Sequence, residues 1–173
     1  MSELKKYKMF IDGEWVDSES KKTFQTLNPE NNEPWAEVPE ASEKDVDKAV
    51  KAAQKAFEGT WPSLFPKERA KYLKAIAEQL RKNAELLGKI ETIDTGKLFK
   101  ETKTQANYIA EYYDYYAGLA DKVEGTVLPI DKPDMQVITT RVPIGVVAAI
   151  IPWNSQMLLT AVKLAPALAM GNT

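Results

Sequence analysis

The most pointed chemical feature of the sequence is a side-chain amide beside a rigid proline and a large aromatic: Ile150-Ile151-Pro152-Trp153-Asn154. It closes an apolar run and precedes a helix-forming stretch. In open α/β sheets, ligands bind just beyond the carboxyl ends of the strands. Asn154 falls at such a strand-to-helix turn, where its amide could donate to an oxygen gaining negative charge. A fixed donor of this kind is worth about 3 kcal/mol in acyl-transfer sites. Asn is also a leading helix cap, and capping the next helix is the plainer role for it.

What the sequence lacks narrows the chemistry. With no Cys and no His in 173 residues, there is no disulfide, no Cys/His zinc site and no Ser-His-Asp triad. Carboxylates, hydroxyls, amides and lysines remain. A formal net charge of -2 gives no basic excess to neutralise phosphates, so nucleic acid is not an expected partner. The first fifteen residues hold no apolar stretch of signal-peptide length. Residues 142–173 are strongly apolar, with Lys163 the sole charge after Arg141, but Pro143, Gly145 and Pro152 interrupt them. A spanning helix needs about 20 apolar residues, so a buried segment is expected rather than a membrane span. Cytoplasm is the default compartment.

Several elements must position Asn154. Residues 8–11 alternate, Asp12-Gly13 marks a tight turn and residues 14–16 return, which reads as a hairpin. Residues 23–27 alternate before Asn28-Pro29, Asn31, Asn32 and Pro34 prolong a loop, and residues 37–39 are a brief extended piece. Three helices are then expected. The first opens with Ser42 and Asp45 at capping-box spacing, carries Val46, Ala49, Val50, Ala53 and Phe57 on one stripe, and ends at Gly59. The second starts at Pro66, bears Leu73, Ile76, Leu80, Leu87 and Ile90, and stops at Gly96. The third spans residues 99–120, with Ile109, Tyr112, Tyr113, Tyr116 and Leu119 inward. Strands follow at 126–130 and 135–141. Residues 145–151 read as a strand buried on both faces, as in a parallel sheet. A helix over 155–170 completes two-thirds of a βαβ unit, with Pro166 kinking it or marking its last turn. Gly171-Asn172-Thr173 looks like the turn into the missing parallel strand, so the front portion of a longer chain is expected.

Arg141-Val142-Pro143-Ile144-Gly145, Pro152-Trp153-Asn154, Lys163-Leu164-Ala165-Pro166-Ala167-Leu168 and Gly171-Asn172 together resemble the aldehyde dehydrogenase superfamily. Upstream, Asn28-Pro29, Glu91-Thr92-Ile93-Asp94-Thr95-Gly96-Lys97 and Tyr115-Tyr116-Ala117-Gly118-Leu119-Ala120-Asp121-Lys122 extend the likeness over nearly the whole chain. The resemblance implies an α/β fold: the N-terminal part of such an enzyme, with helices, the start of a parallel Rossmann-type sheet and strands of an oligomerisation sheet. Residues 1–123 would form the N-terminal hairpin and helical part of the cofactor domain. Residues 124–142 would be oligomerisation strands, and 143–173 the first strand and helix of the Rossmann-like unit.

The resemblance also implies site roles. Ile150, Ile151, Pro152 and Trp153 would line the cleft for NAD or NADP, and Asn154 would be half of an oxyanion hole for a small-molecule aldehyde. Many members of the family follow the Asn with an aromatic and Pro; here Ser155-Gln156 stands instead, with Met157 and Leu158 beyond, implying a smaller and more polar tunnel wall. Tyr108 and Tyr112 are candidates for the tunnel mouth. Leu27 and Asp94 would help hold a structural monovalent cation, although Asp94 also suits bonding to nearby backbone N–H groups. A homodimer or homotetramer is implied. The family's nucleophile is a cysteine, so the 173 residues alone are expected to be inactive. A non-catalytic binding or oligomerisation module derived from the fold is the alternative.

Overall fold

A computed structural model describes residues 4–173; the first three residues of the expected 1–123 segment lie outside it. The hairpin forms as read: β2 (Met9–Ile11) pairs antiparallel with β3 (Glu14–Val16). Asp12 and Gly13 take φ of 51° and 83°, the left-handed pair that a two-residue hairpin turn demands. A three-stranded sheet lies beside it in the order β1-β5-β4, built from β1 (Lys5–Lys6), β4 (Thr23–Asn28) and β5 (Glu33–Pro39). β5 is longer than expected because Pro34 joins it. The proline is tolerated at a register shift opposite Thr26 and Leu27, at the strand end that β1 does not reach.

The helical body corrects the expected count. Helices α1 (Glu43–Glu58), α2 (Pro66–Lys82), α3 (Ala84–Thr95) and α4 (Phe99–Leu119) precede the 126–141 region. What reads as one helix from Pro66 to Gly96 breaks at Asn83, whose backbone leaves helical geometry and whose side-chain amide donates back to Gln79 O at 2.8 Å. Asn competes with the helix ladder in this way. The break splits the apolar stripe: Leu73 is fully buried in the body, whereas Leu87 and Ile90 turn toward β4 and β5. Gly96 ends α3 in left-handed geometry, as its position suggests. Gly88 lets α3 and α4 touch, since a Cβ there would stand 2.8 Å from Lys103 N. The core joins Leu73 and Ala77 of α2, Ile109 and Tyr113 of α4, and Ala161 and Ala165 of α5 (Gln156–Ala169). The stripe of α1 behaves otherwise: Val46 and Val50 are exposed, and α1 is fastened by Asp45 instead.

Beyond α4, β6 (Val127–Leu128) and β7 (Val137–Ile138) pair antiparallel but are shorter than expected. Residues 145–151 depart most from expectation. They are neither helical nor a laddered strand, and Ile150 is 88% exposed. One parallel rung exists: Thr173 N donates to Gly145 O at 3.1 Å, and Val147 N donates to Thr173 O at 2.7 Å. The run is therefore extended with a parallel neighbour at one residue; Gly145 at its start is buried close to Phe57 of α1, whereas residues 147–150 are exposed.

Candidate functional site

The Asn154 region is held by the geometry of α5. That helix ends in a Schellman motif, with Gly171 N bonded to Leu168 O, Asn172 N bonded to Ala167 O, and Gly171 at φ 86°. Pro166 sits in the last turn, with the helix carrying through it. Asn172 then turns back: its Oδ1 accepts from Ile144 N at 2.7 Å and Gly145 N at 3.1 Å, while its Nδ2 donates to Ala167 O. A buried amide thus stitches the extended run to the far end of α5. Trp61 Nε1 and Thr173 Oγ1 complete the clamp through Asn172 O and Ala53 O.

At the other end of α5, Pro152, Trp153 and Asn154 form an exposed turn, and Ser155 occupies the cap position. Asn154 is therefore not the cap of α5. Its side chain is exposed at the strand-to-helix turn, next to Trp153 (80% exposed), with Ile151 half-buried.

Ser155 is buried, contrary to an open tunnel wall. Its Oγ accepts from Lys97 Nζ at 2.8 Å and Gln105 Nε2 at 3.3 Å. Lys97 Nζ also donates to Glu91 Oε1 at 3.0 Å, and Glu91 is 4% exposed. This buried chain of polar groups joins α3, α4 and the start of α5. None of Glu91, Lys97 and Gln105 stands out as a site residue in the sequence; Glu91 and Lys97 are marked only as the ends of the motif that runs to the Gly96 helix stop, and Gln105, within α4, carries no signal. Gln156 donates to Asp94 Oδ2 at 2.8 Å, and Asp94 Oδ1 accepts from Thr26 Oγ1 at 2.6 Å and Trp35 Nε1 at 3.3 Å. Asp94 is thus satisfied by side chains from three elements, not by the nearby backbone N–H groups expected of it. Leu27, whose carbonyl is the partner in the cation reading, is 44% exposed.

The other tunnel candidates scatter. Met157 lines a cavity of about 340 Å³ with Trp35, Ile90 and Asp94. Leu158 and Tyr112 pack against the core, and Tyr108 is 55% exposed. The Tyr112 and Tyr116 rings lie 5.1 Å apart, and the Tyr116 hydroxyl together with desolvation pushes the Tyr112 phenol up to about 12. Burial alone raises Tyr113 to about 12. Both phenols stay neutral and act as packing groups with polar tips. Lys163 is exposed on α5.

An extended run, a helix that returns antiparallel to it, and a first parallel rung define an α/β protein with the opening βαβ step of a Rossmann-type sheet, its exposed amide at the strand-to-helix turn. The chain belongs to the aldehyde dehydrogenase family, whose model matches residues 15–173. It is 48% identical over 171 residues to (Z)-2-((N-methylformamido)methylene)-5-hydroxybutyrolactone dehydrogenase of Acinetobacter baylyi, covering 98% of this chain and 35% of that protein. It is 44% identical over 166 residues to betaine aldehyde dehydrogenase of Bacillus subtilis, covering 95% and 34%. Among solved structures, betaine aldehyde dehydrogenase of Staphylococcus aureus, in complex with NAD+, superimposes with a TM-score of 0.91 at 38% identity, over 96% of this chain and 33% of that one. The chain spans about a third of the length of these relatives. No helix among the described residues is long and apolar enough to cross a membrane.

Proposed function

We propose that these residues supply the N-terminal part of an NAD(P)-dependent aldehyde dehydrogenase, which oxidises an aldehyde to a carboxylate in the cytoplasm as a homodimer or homotetramer. The observation that carries this reading is the exposed Asn154 amide at the end of the extended run, immediately before Ser155, the cap of α5. The amide donates to the aldehyde-derived oxygen while that oxygen carries negative charge. It does not ionise, so the donor is ready without a prior proton transfer. Ile150 and Trp153 present an apolar face at the same edge, which fits a flat nicotinamide ring; Ile151 and Pro152 continue that wall. NAD(P), when bound, supplies the hydride acceptor.

Ser155, Met157, Leu158, Tyr108 and Tyr112 bear on substrate choice mainly through Ser155. Its hydroxyl is tied to Lys97 and Gln105, which keeps the start of α5 polar where an aromatic stands in much of the family. The Leu27–Asp94 pair has no part in the chemistry, and β6 and β7 are the strands that extend a sheet across subunits. The reading is tested by Asn154→Ala in the enzyme completed by its cysteine-bearing segment. Turnover is expected to fall about a hundredfold or more, with cofactor affinity little changed. Near-normal turnover would refute the role of Asn154.

A further inference from the structure

Arg69 stands apart among the buried groups. It lies in the first turn of α2, is 8% exposed, and donates from Nε to Ala169 O at 3.1 Å and from Nη1 to Leu64 O. Both partners are neutral carbonyls, so two of the five guanidinium N–H groups are used and the charge has no carboxylate opposite it among the described residues. Buried charges are ordinarily paired. Capping the last carbonyls of α5 accounts for the bond to Ala169. It does not account for what faces Arg69.

Arg69 lines a cavity of about 550 Å³ between the start of α2, the end of α4 and residues 141–144. A second arginine, Arg141, lines the same cavity and has no ion-pair partner among the described residues. No Asp or Glu contributes to its wall. The N-terminal end of α2, at Pro66, opens on it, its partial charge offset by Glu68, whose carboxylate accepts from Phe65 N at 2.9 Å. Ser63 and Asn172 add neutral polar groups to the wall, and the rest of it is apolar, with Phe65 69% exposed, Ile144 90% exposed, and Val123 and Pro143. Two uncompensated guanidinium groups and an exposed aromatic, in a space of ordinary ligand size, describe a receptor for an anion with an apolar body.

We propose that this cavity binds a small organic carboxylate, its oxygens held by Arg69 and Arg141 and its apolar body lying on Phe65, Val123 and Ile144. The planar fork of Arg141 matches a carboxylate, which it can hold with two parallel hydrogen bonds, and Arg69, with Nε and Nη1 already donating to Ala169 O and Leu64 O, adds its remaining Nη N–H groups. Burial pushes Arg69 down from its ordinary value, as expected of a cation short of counter-charge, and a bound anion opposes that push. A bare oxyanion would meet the arginines but leave the apolar wall wet. The proposal does not use the Asn154 site.

Calorimetric titration of the chain with benzoate, benzamide and inorganic phosphate tests it. Benzoate is expected to bind saturably at one site, benzamide not at all, and phosphate at least about tenfold more weakly than benzoate. Arg141→Gln, a surface change that leaves the core intact, is expected to weaken benzoate by about tenfold or more, with an unchanged circular dichroism spectrum. Arg69→Lys keeps a charge but loses the fork, and is expected to weaken it further. The proposal is overturned by absence of saturable benzoate binding, by equal affinity in Arg141→Gln, or by phosphate binding as tightly as benzoate.

Discussion

Helix α5 and the extended run before it, residues 142–153, are both predominantly apolar in sequence. In α5, Ala161 is 1% exposed, and Ala165 and Ala169 are fully buried against α2 and α4. In the run, Ile144, Ile150 and Trp153 are 90%, 88% and 80% exposed. The difference is one of partners. A helix satisfies its own backbone and needs only one packed face to be stable. An extended segment needs a neighbour for its backbone and cover for two faces. Here that neighbour is present at one residue, Thr173. Hydrophobicity marks what wants burial; the supply of neighbours decides what is buried.

The comparison is sharpest in stability. Leu73, fully buried among α2, α4 and α5, is expected to cost about 2–5 kcal/mol when cut to Ala, from lost transfer energy and the cavity left behind. Ile150→Ala removes a side chain of like size from the open run and is expected to change stability by no more than about 0.5 kcal/mol. Denaturant unfolding of both variants with matched slopes measures the gap. Equal losses would mean that the run is packed after all.

A second contrast sets α1 against α2. Helix α2 is held by its apolar face, whereas α1 leaves Val46 and Val50 exposed and is held by a buried carboxylate. Asp45 accepts from Ser42 N at 2.8 Å, Ser42 Oγ at 2.7 Å, Glu19 N at 3.1 Å and Ser18 Oγ at 2.9 Å. Led by the Ser42 N–H and hydroxyl, these donors hold its carboxyl far below the usual carboxylate range, against the opposing push of desolvation. A depressed native value means that folding favours the ionised form. The stabilisation is therefore complete above the pH at which an unfolded Asp titrates, about 3.9, and is lost as pH falls toward the native value. Asp45→Asn is expected to lower Tm at pH 7, and the gap to the parent chain should close progressively below about pH 4. A gap that stays constant from pH 7 to pH 2 would remove Asp45 as the fastener of α1.

These cases show which features the sequence makes legible. Local chemistry reads well: the Asp12-Gly13 turn, the Ser42/Asp45 cap, Gly96 and Gly171 as helix stops, and the inward face of α4 all follow from residue type and spacing over a few positions. The family likeness is equally plain from short motifs around Asn154. Features that depend on distant donors do not read. Ser18 lies 27 residues from Asp45, Thr26 lies 68 from Asp94, and Arg69 meets the end of α5 across 100 residues. Asn83 is the intermediate case: a single residue whose side chain outcompetes an otherwise continuous helical stripe. The open run departs from its pattern for a physical reason too, since periodicity reports the surroundings for which a segment is suited and not those that it has.

The smallest effect on stability carries the largest effect on surface. Within residues 142–153 the chain presents Ile144, Ile150 and Trp153 to water in one stretch, more apolar surface than scattered single residues would give. The chain is then expected to brighten an environment-sensitive hydrophobic dye and to self-associate as its concentration rises. The double change Ile150→Ser with Trp153→Ser removes two of the three exposed groups and touches no core residue. It should remove most of the dye signal and shift the association to higher concentration, while unfolding stability moves by no more than about 0.5 kcal/mol. Loss of stability along with the dye signal would place these side chains in the packed body, beside those of α5. A dye-silent, monomeric parent chain would do the same, and the contrast between helix and run would dissolve.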